Sequence, residues 1–115
     1  MPGFEIFGDE ERQQVAQVLE TGVLFRYGFD EARKGRFKAA EFEKKLCRVT
    51  GSGYAHLCSS GTAALCTALA ACGIGAGDEV ILSPVTDYGS VIGIFQLNAI
   101  PVFADIQPDG LLLDV

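Results

Sequence analysis

Apolar residues recur at helical spacing in two segments of the first half of the chain. Residues 9–19 have acidic side chains in their first turn, where a helix dipole favours them. Residues 38–49 form the second segment, which ends at the turn Gly51–Gly53. The pattern predicts two short amphipathic helices, whose apolar faces consist of Val15, Val18 and Leu19 and of Phe42, Leu46 and Val49. Residues 21–37 lack a hydrophobic period and are interpreted as a long loop, and long loops in compact domains are often functional.

From residue 54 onwards, short apolar runs alternate with helical segments. We expect strands at 54–58, 79–82 and 101–106, and helices at 62–72 and 88–98. Nearly apolar strands separated by helices are typical of parallel strands covered on both faces, so the fold class is α/β, a mainly parallel sheet with flanking helices. Three strands would leave two open edges, and the sequence stops at 111–115 (LLLDV) without a terminal helix or a polar tail. We therefore expect a truncated, N-terminal piece of a larger domain.

Composition and charge exclude several functions. The chain has 115 residues, 49% of them apolar and 21% charged, which is ordinary for a globular domain. Its net charge is −6 and no Lys or Arg follows Arg48, so it lacks the cationic surface that nucleic-acid binding needs. The acidic N-terminus is not a secretory signal, and we expect a cytoplasmic protein. Residues 57–77 are uncharged but contain hydroxyl groups and glycines, which disfavours a membrane span.

Four cysteines and a single histidine give no metal or disulfide pattern. The cysteines form no CxxC pair. We expect no metal site and interpret the cysteines as buried, reduced thiols.

A candidate anion site lies where the first predicted strand runs into a helix. The segment Ser59–Ala63 presents free backbone N–H groups at the positive end of the helix dipole. Because no cation follows in the sequence, an anion held here by this chain would rely on these amides and on the hydroxyls of Ser60 and Thr62. A phosphate is the natural ligand. Alternatively, Ser59 or Ser60 only caps the helix, and Gly61 only permits a tight turn.

The end of the second predicted strand lies at the same rim of the sheet. Asp87 there either binds a ligand or caps the next helix, and Tyr88 either stacks on a planar ring or packs into the core. The glycines in 73–77 follow a helix and precede a strand, which indicates a helix C-cap and turn and not a dinucleotide site. Asp105 is interpreted as structural, and His56 as a packed side chain within a strand.

A series of short motifs runs along the chain in a recognisable order. They are Pro2-Gly3, Phe7-Gly8-Asp9-Glu10-Glu11, Gly22 with Phe25-Arg26-Tyr27, Phe42-Glu43, Ser60-Gly61-Thr62-Ala63-Ala64-Leu65, Gly73-Ile74-Gly75-Ala76-Gly77-Asp78-Glu79-Val80, Thr86 and Ile100-Pro101-Val102-Phe103-Ala104-Asp105. The series resembles the N-terminal portion of the DegT/DnrJ/StrS family of pyridoxal-phosphate-dependent sugar aminotransferases. SGTAAL and GIGAGDEV together make the resemblance specific, and it covers essentially the whole chain.

The resemblance implies a division of roles along the chain. Residues 1–53 would supply N-terminal helices and an active-site loop, and 54–115 would begin the large α/β domain that binds pyridoxal 5′-phosphate. Cofactor-binding residues would be Ser60, Gly61, Thr62 and Ala63 at the phosphate, with Asp87 and Tyr88 near the ring. The family commonly has an aromatic residue directly after Thr86, where this chain has Asp87, so the stacking assignment stays open. Arg26 and Tyr27 would lie close to the substrate, and the protein would be a homodimer.

The resemblance also implies an activity that requires catalytic groups beyond residues 1–115. The family transfers an amino group from an amino-acid donor to a keto-sugar, mostly a nucleotide-linked one. Transamination needs a Schiff-base lysine and an acid at the pyridine nitrogen, which we expect beyond residue 115. No lysine of the chain matches the family position (Lys34, Lys38, Lys44 and Lys45). Residues 1–115 alone are therefore expected to be inactive, and two alternatives stay open: a dehydratase that lacks the lysine and a non-catalytic ligand-binding or regulatory protein.

Overall fold

A computed structural model describes residues 3–114 of the chain. It contains helices α1 (Asp9–Leu19), α2 (Asp30–Arg33), α3 (Lys38–Thr50), α4 (Gly61–Ala71) and α5 (Tyr88–Phe95), strands β1 (Glu79–Leu82) and β2 (Ile100–Phe103), and a 3-10 turn at Phe4–Ile6. Two compact units meet in the sequence between His56 and Leu57. The expected domain boundary between residues 53 and 54 stays a prediction. Pro2 of the first motif and Val115 lie outside the described residues.

In the first unit, α1 and the start of α3 are joined by polar side chains. Arg36 donates from Nη1 to the carbonyl oxygen of Gln17 at 2.9 Å and to the carboxylate of Glu20 at 2.6 Å. Lys38 donates from Nζ to the side-chain oxygens of Gln14 and Gln17 at 2.7 and 2.8 Å. The cationic groups lie near the C-terminal end of α1, where the helix dipole favours positive charge. Both predicted helices of this unit are confirmed.

The segment predicted as an aperiodic loop contains one helical turn, α2. The residues on either side of it, Phe29 and Lys34, adopt left-handed backbone angles with φ of 59° and 54°. A four-residue helix is too short to show a hydrophobic period, so the sequence pattern had no means of predicting it. The rest of residues 21–37 is a loop as expected.

In the second unit, α5 connects two parallel strands and lies at the centre of the packing. β1 and β2 pair in parallel from Glu79 opposite Ile100 to Leu82 opposite Phe103. α5 packs against both α4 and β2. The buried hydrophobic residues of the described chain are Val91, Ile94 and Ala99, all on α5 or just after it. The α/β fold class is thereby confirmed, with a parallel strand pair and flanking helices.

The strand expected at 54–58 is absent from the structure. Residues 54–58 have no strand partner among residues 3–114, and Tyr54 is 95% exposed. A strand exists only through hydrogen bonds to a neighbour, and an apolar run does not supply that neighbour. The sheet of the described residues therefore has two strands and not three, and His56 does not lie in a strand.

Three further expectations concern the cysteines, metal ligands and the membrane. The thiols are free, but Cys47, Cys58 and Cys66 are only half-buried and Cys72 is exposed, so the prediction that they are buried is wrong. Within residues 3–114 no three potential metal ligands cluster together. The helices of that same range are all too short or too polar to cross a bilayer.

Candidate functional site

The N-terminus of α4 has the serine cap that the sequence indicates, although the strand expected before it is absent from the described residues. Ser60 has an extended backbone, and its Oγ accepts a hydrogen bond from the N–H of Ala63 at 3.1 Å. First-turn amides of a helix have no carbonyl partner within the helix, so those of Gly61 and Thr62 point toward the space before α4. A serine hydroxyl that accepts one hydrogen bond still has its own proton to donate to an anion. The helix cap and the phosphate site are therefore compatible with each other.

The N-terminus of α5 holds the second group of candidate residues. Asp87 accepts a hydrogen bond through Oδ1 from the N–H of Gly89 at 2.7 Å, so its carboxylate caps α5. Tyr88, the first residue of α5, is 68% exposed and does not pack into the core of its unit. Capping is thus the role that the structure gives to Asp87, and contact of either residue with a cofactor ring stays a prediction.

The two helix starts come together at Gly89. A Cβ atom built on Gly89 would lie 2.5 Å from Oγ1 of Thr62 and 2.7 Å from Oδ1 of Asp87. Both distances are far below van der Waals contact, so only glycine leaves room for the Thr62 hydroxyl in this position. Residues 60–63 and 87–89 therefore form one cluster, which we call the cradle.

Sequence reasoning missed Gly89, although a signal was present. Glycine within a helix is unfavourable by roughly 1 kcal/mol relative to alanine, so its place in the first turn of α5 indicated a close approach. The contents of the cradle fit a phosphate group: backbone amides at a helix start, the hydroxyls of Ser60 and Thr62, and space kept by a glycine. No Lys or Arg follows Arg48 in the sequence, so this unit offers a phosphate only neutral donors.

Arg26 and Tyr27 lie in the first unit, on the loop between α1 and α2. The guanidinium of Arg26 pairs through Nη2 with Oε1 of Glu43 on α3 and lies 3.3 Å from Nδ1 of His56. The Glu43 side chain is only 13% exposed, whereas Tyr27 is 80% exposed. The loop thus presents an aromatic ring to solvent while its arginine is held by an acidic group of α3.

A second arginine, Arg33 on α2, bonds the backbone of the same loop. It is 6% exposed and is the buried charged residue of the described chain. Its Nε donates to the carbonyl oxygen of Gly28 at 2.7 Å, its Nη2 lies 3.5 Å from the carbonyl oxygen of Tyr27, and its guanidinium carbon lies 5.1 Å from the ring centre of Phe37. The sequence did not indicate that Arg33 binds the loop backbone. No local pattern distinguishes an arginine that donates to backbone carbonyl groups from one that is exposed to solvent.

An α/β unit with amides and hydroxyls gathered at a helix start is typical of proteins that bind phosphorylated ligands. Residues 5–115 match the DegT/DnrJ/EryC1/StrS aminotransferase family, and the chain belongs to that family. Its members depend on pyridoxal 5′-phosphate, so the resemblance in the sequence motifs and the cofactor that it implied are both confirmed.

Individual relatives agree with the family assignment. The chain is 42% identical over 109 residues to the spore coat polysaccharide biosynthesis protein SpsC of Bacillus subtilis, a match that covers 95% of this chain and 26% of SpsC. It is 62% identical over 56 residues to the L-glutamine:2-deoxy-scyllo-inosose aminotransferase of Streptomyces kanamyceticus, covering 49% of this chain and 13% of that enzyme.

A solved structure shares the fold. The PLP form of Spr1654 from Streptococcus pneumoniae superimposes with a TM-score of 0.75 at 30% identity, covering 94% of this chain and 25% of that one. The chain thus spans about a quarter of the length of SpsC and of this structural neighbour.

Proposed function

We propose that the protein to which these residues belong is an aminotransferase that moves an amino group from an amino acid to the ketone of a nucleotide-linked sugar. The observation that carries the proposal is the cradle. Because residue 89 is glycine, the Thr62 hydroxyl has room to lie against the start of α5. Family membership supports the same conclusion, because relatives such as the one from Streptomyces kanamyceticus are named aminotransferases. The proposal places the protein in the cytoplasm as a homodimer.

In this proposal the cradle binds and orients the cofactor. The amides of Gly61 and Thr62 donate hydrogen bonds to the phosphate, whose charge is favoured at the positive end of the α4 dipole, while the amide of Ala63 holds Oγ of Ser60 in place. The hydroxyls of Ser60 and Thr62 complete the donor set, and Asp87 and Tyr88 lie beside the ring. When bound, pyridoxal phosphate supplies an electron sink for the transfer of the amino group.

The lysine that this reaction requires belongs, in the proposal, to a part of the protein other than residues 1–115. The contacts of Lys38 support this assignment, because its ammonium group is already occupied. It donates hydrogen bonds to the side chains of Gln14 and Gln17 and lies 3.7 Å from the carboxylate of Glu41. That arrangement makes it a structural link between α1 and α3. Residues 1–115 alone are accordingly expected not to catalyse transamination.

A keto-cyclitol is a second candidate substrate. It is favoured by the relative from Streptomyces kanamyceticus, whose name gives 2-deoxy-scyllo-inosose as the amino acceptor and L-glutamine as the donor. Both candidate substrates are polyhydroxylated six-membered rings with one ketone, so the same reaction serves either of them. L-glutamine is the donor to test first in both cases.

The test uses the full-length protein, purified with pyridoxal phosphate and given L-glutamine followed by a nucleotide-linked keto-sugar or a keto-cyclitol. An amino group found by mass spectrometry on the nucleotide-linked sugar supports the main proposal, and one found on the cyclitol supports the second. Loss of water from the sugar would indicate a dehydratase. Cofactor binding without any change in absorbance on adding the donor would indicate a non-catalytic protein.

Two threonines of α4 offer a matched pair of variants for the cradle. Thr62→Val removes a hydroxyl from the cradle and is expected to weaken binding of pyridoxal phosphate by about tenfold, the equivalent of one hydrogen bond to a charged group. Thr67→Val is the control, because the Thr67 hydroxyl donates to the carbonyl oxygen of Ala63 at 2.8 Å within the helix. Equal affinity of both variants for the cofactor, measured by fluorescence titration, would contradict the proposed phosphate site.

A further inference from the structure

Arg33 is a buried cation without an acidic partner. It is 6% exposed, and no carboxylate of residues 3–114 forms an ion pair with its guanidinium group. The guanidinium carbon lies 5.1 Å from the ring centre of Phe37, so an aromatic ring covers part of the group. A buried charge without an opposite charge is unfavourable, and Coulomb attraction is stronger there than in water. The surroundings of Arg33 therefore favour an anion that reaches its guanidinium group.

One edge of this guanidinium group is occupied by the protein, and the other edge is available. Nε and Nη2 form the side edge of the planar group, and they donate to the carbonyl oxygens of Gly28 and Tyr27 at 2.7 and 3.5 Å. Nη1, on the end edge, donates to no group of the described residues. Every fully buried side-chain nitrogen of those residues has a partner, so Nη1 reaches accessible space. The end edge thus presents parallel N–H groups, which match the two oxygens of a carboxylate.

A cavity of about 270 Å³ lies against Arg33, within the first unit. Nine described residues of α1, α2, α3 and the loop between α1 and α2 line it, of which six are apolar and three are cations. Four of the apolar residues are half-buried, and they come from α1, the loop and the start of α3: Val18, Val23, Phe37 and Ala39. The cavity therefore combines an apolar wall with positive charge.

The other two cations of the lining are already occupied. Arg26 pairs with the carboxylate of Glu43, whose side chain is mostly buried. Lys38 donates to two glutamines of α1 and lies 3.7 Å from the carboxylate of Glu41. Arg33 is thus the cation of this lining whose charge no acidic side chain of the described residues balances.

We propose that this cavity, which we call the Arg33 cavity, binds a small aliphatic carboxylate. The two oxygens of the ligand accept from the end edge of Arg33, and its carbon chain packs against the apolar wall. A short chain suits the volume, which lies just below the range of about 300–1,000 Å³ for sites of drug-sized ligands. A phosphate group fits less well, because its further oxygens would lie against apolar side chains without donors. The site lies within the first unit, and its ligand does not depend on the proposed function.

The experiment is a calorimetric titration of the full-length protein with isovalerate, with pyridoxal phosphate present at saturation. Isovaleramide has nearly the same shape but no charge, and we expect it to bind at least tenfold more weakly. Inorganic phosphate is expected not to displace isovalerate when both are present at equal concentration. No amino donor or acceptor is added, so the result stands whether or not the protein transfers amino groups.

Two adjacent alanines of α3 provide a matched pair of variants. Ala39 lines the Arg33 cavity, and Ala39→Leu is expected to weaken isovalerate binding at least tenfold by filling it. Ala40 is equally half-buried but lines a different cavity, so Ala40→Leu is expected to leave the affinity unchanged. Arg33→Lys keeps the charge, removes the end edge and is also expected to weaken binding at least tenfold. Should this buried variant fail to fold, the two alanine variants still decide the location of the site.

Four results would overturn the proposal. An unmodified protein that does not bind isovalerate would show that the charge of Arg33 is balanced within the full-length protein. Equal affinity for isovalerate and isovaleramide would show that the cation does not recognise the ligand. Equal affinity of the Ala39→Leu and Ala40→Leu proteins would place the ligand outside the Arg33 cavity. Displacement of isovalerate by phosphate at equal concentration would contradict selectivity for a carboxylate.

Discussion

At the scale of single residues, Gly89 sets the geometry of the cradle. A methyl group there would overlap Oγ1 of Thr62 at 2.5 Å and Oδ1 of Asp87 at 2.7 Å, so both side chains would have to move. Both atoms end short side chains that can rotate at a partly exposed site, so moving them costs little stability, and replacing a helical glycine returns up to about 1 kcal/mol. We expect Gly89→Ala to change the stability of the full-length protein by less than about 1 kcal/mol but to weaken its binding of pyridoxal phosphate at least tenfold, because the Thr62 hydroxyl leaves its place. Chemical unfolding measures the stability, and fluorescence titration measures the affinity.

Gly93, one turn further along α5, provides the matched control. A Cβ atom on Gly93 would lie 3.4 Å from the backbone nitrogen of Cys66 and 3.6 Å from Cβ of Leu65, which is ordinary contact. Gly93→Ala is therefore expected to change stability by less than about 1 kcal/mol and to leave cofactor affinity unchanged. The role given to Gly89 would be refuted if the two alanine variants bound the cofactor equally well.

At the scale of elements, the start of α1 carries a pH-sensitive contact. The N–H of Gly8 donates to Oε2 of Glu11 at 2.7 Å. This hydrogen bond, followed by one from the Glu11 backbone and by the charge of Arg12, lowers the pKa of Glu11 below its usual 4.5 despite a small opposing desolvation. A lowered pKa in the folded state means that the contact stabilises α1 fully above pH 4.5 and is lost as the pH falls through the folded value.

Carboxyl NMR titration of Glu11 is expected to show a lower midpoint in the folded protein than in urea. Glu11→Gln keeps an acceptor for the Gly8 N–H but does not titrate, so the start of α1 should lose this part of its acid sensitivity. Equal midpoints in the folded and unfolded protein would show that the contact with Gly8 does not form in solution.

Elements with their own local signal were predicted well, whereas those that depend on a distant partner were not. α1 and β1 have the predicted bounds, and α3, α4, α5 and β2 differ from prediction by a few residues. Helical spacing, the Ser60 cap and the left-handed Gly51 are local features of the chain. The strand expected at 54–58 failed because parallel pairing needs a neighbouring strand, which local sequence does not encode.

The contacts of the candidate site also fall into two groups: those between neighbours in the sequence, which could be predicted, and those between distant residues, which could not. The cap of α4 and the cap of α5 were visible in the sequence, since Ser60 and Asp87 act on amides two or three residues away. The contact of Gly89 with Thr62 and the pairing of Arg26 with Glu43 join positions 27 and 17 residues apart. Contacts over that distance follow from packing, so no short motif indicated them.

At the scale of the whole molecule, the chain exposes more surface than its mass requires. Its accessible surface is 8871 Å². Two separate compact units of half its 12.2 kDa each would together expose roughly 7,300 Å², so the excess does not depend on how the units are arranged. Much of the excess is apolar, because twenty-one large hydrophobic side chains of the described residues are exposed, among them Ile81 on β1 and Phe103 on β2.

This surface predicts how residues 1–115 behave when they are produced alone. Large exposed apolar patches bind hydrophobic dyes and associate with one another, and an open strand edge adds to that tendency. We expect the isolated chain to enhance the fluorescence of anilinonaphthalene sulfonate and to elute from size-exclusion chromatography above 12.2 kDa. The full-length protein, about four times as long if it matches SpsC, should bury these side chains and show no enhancement. A monomeric isolated chain that does not bind the dye would mean that Ile81, Phe103 and their neighbours need no covering partner.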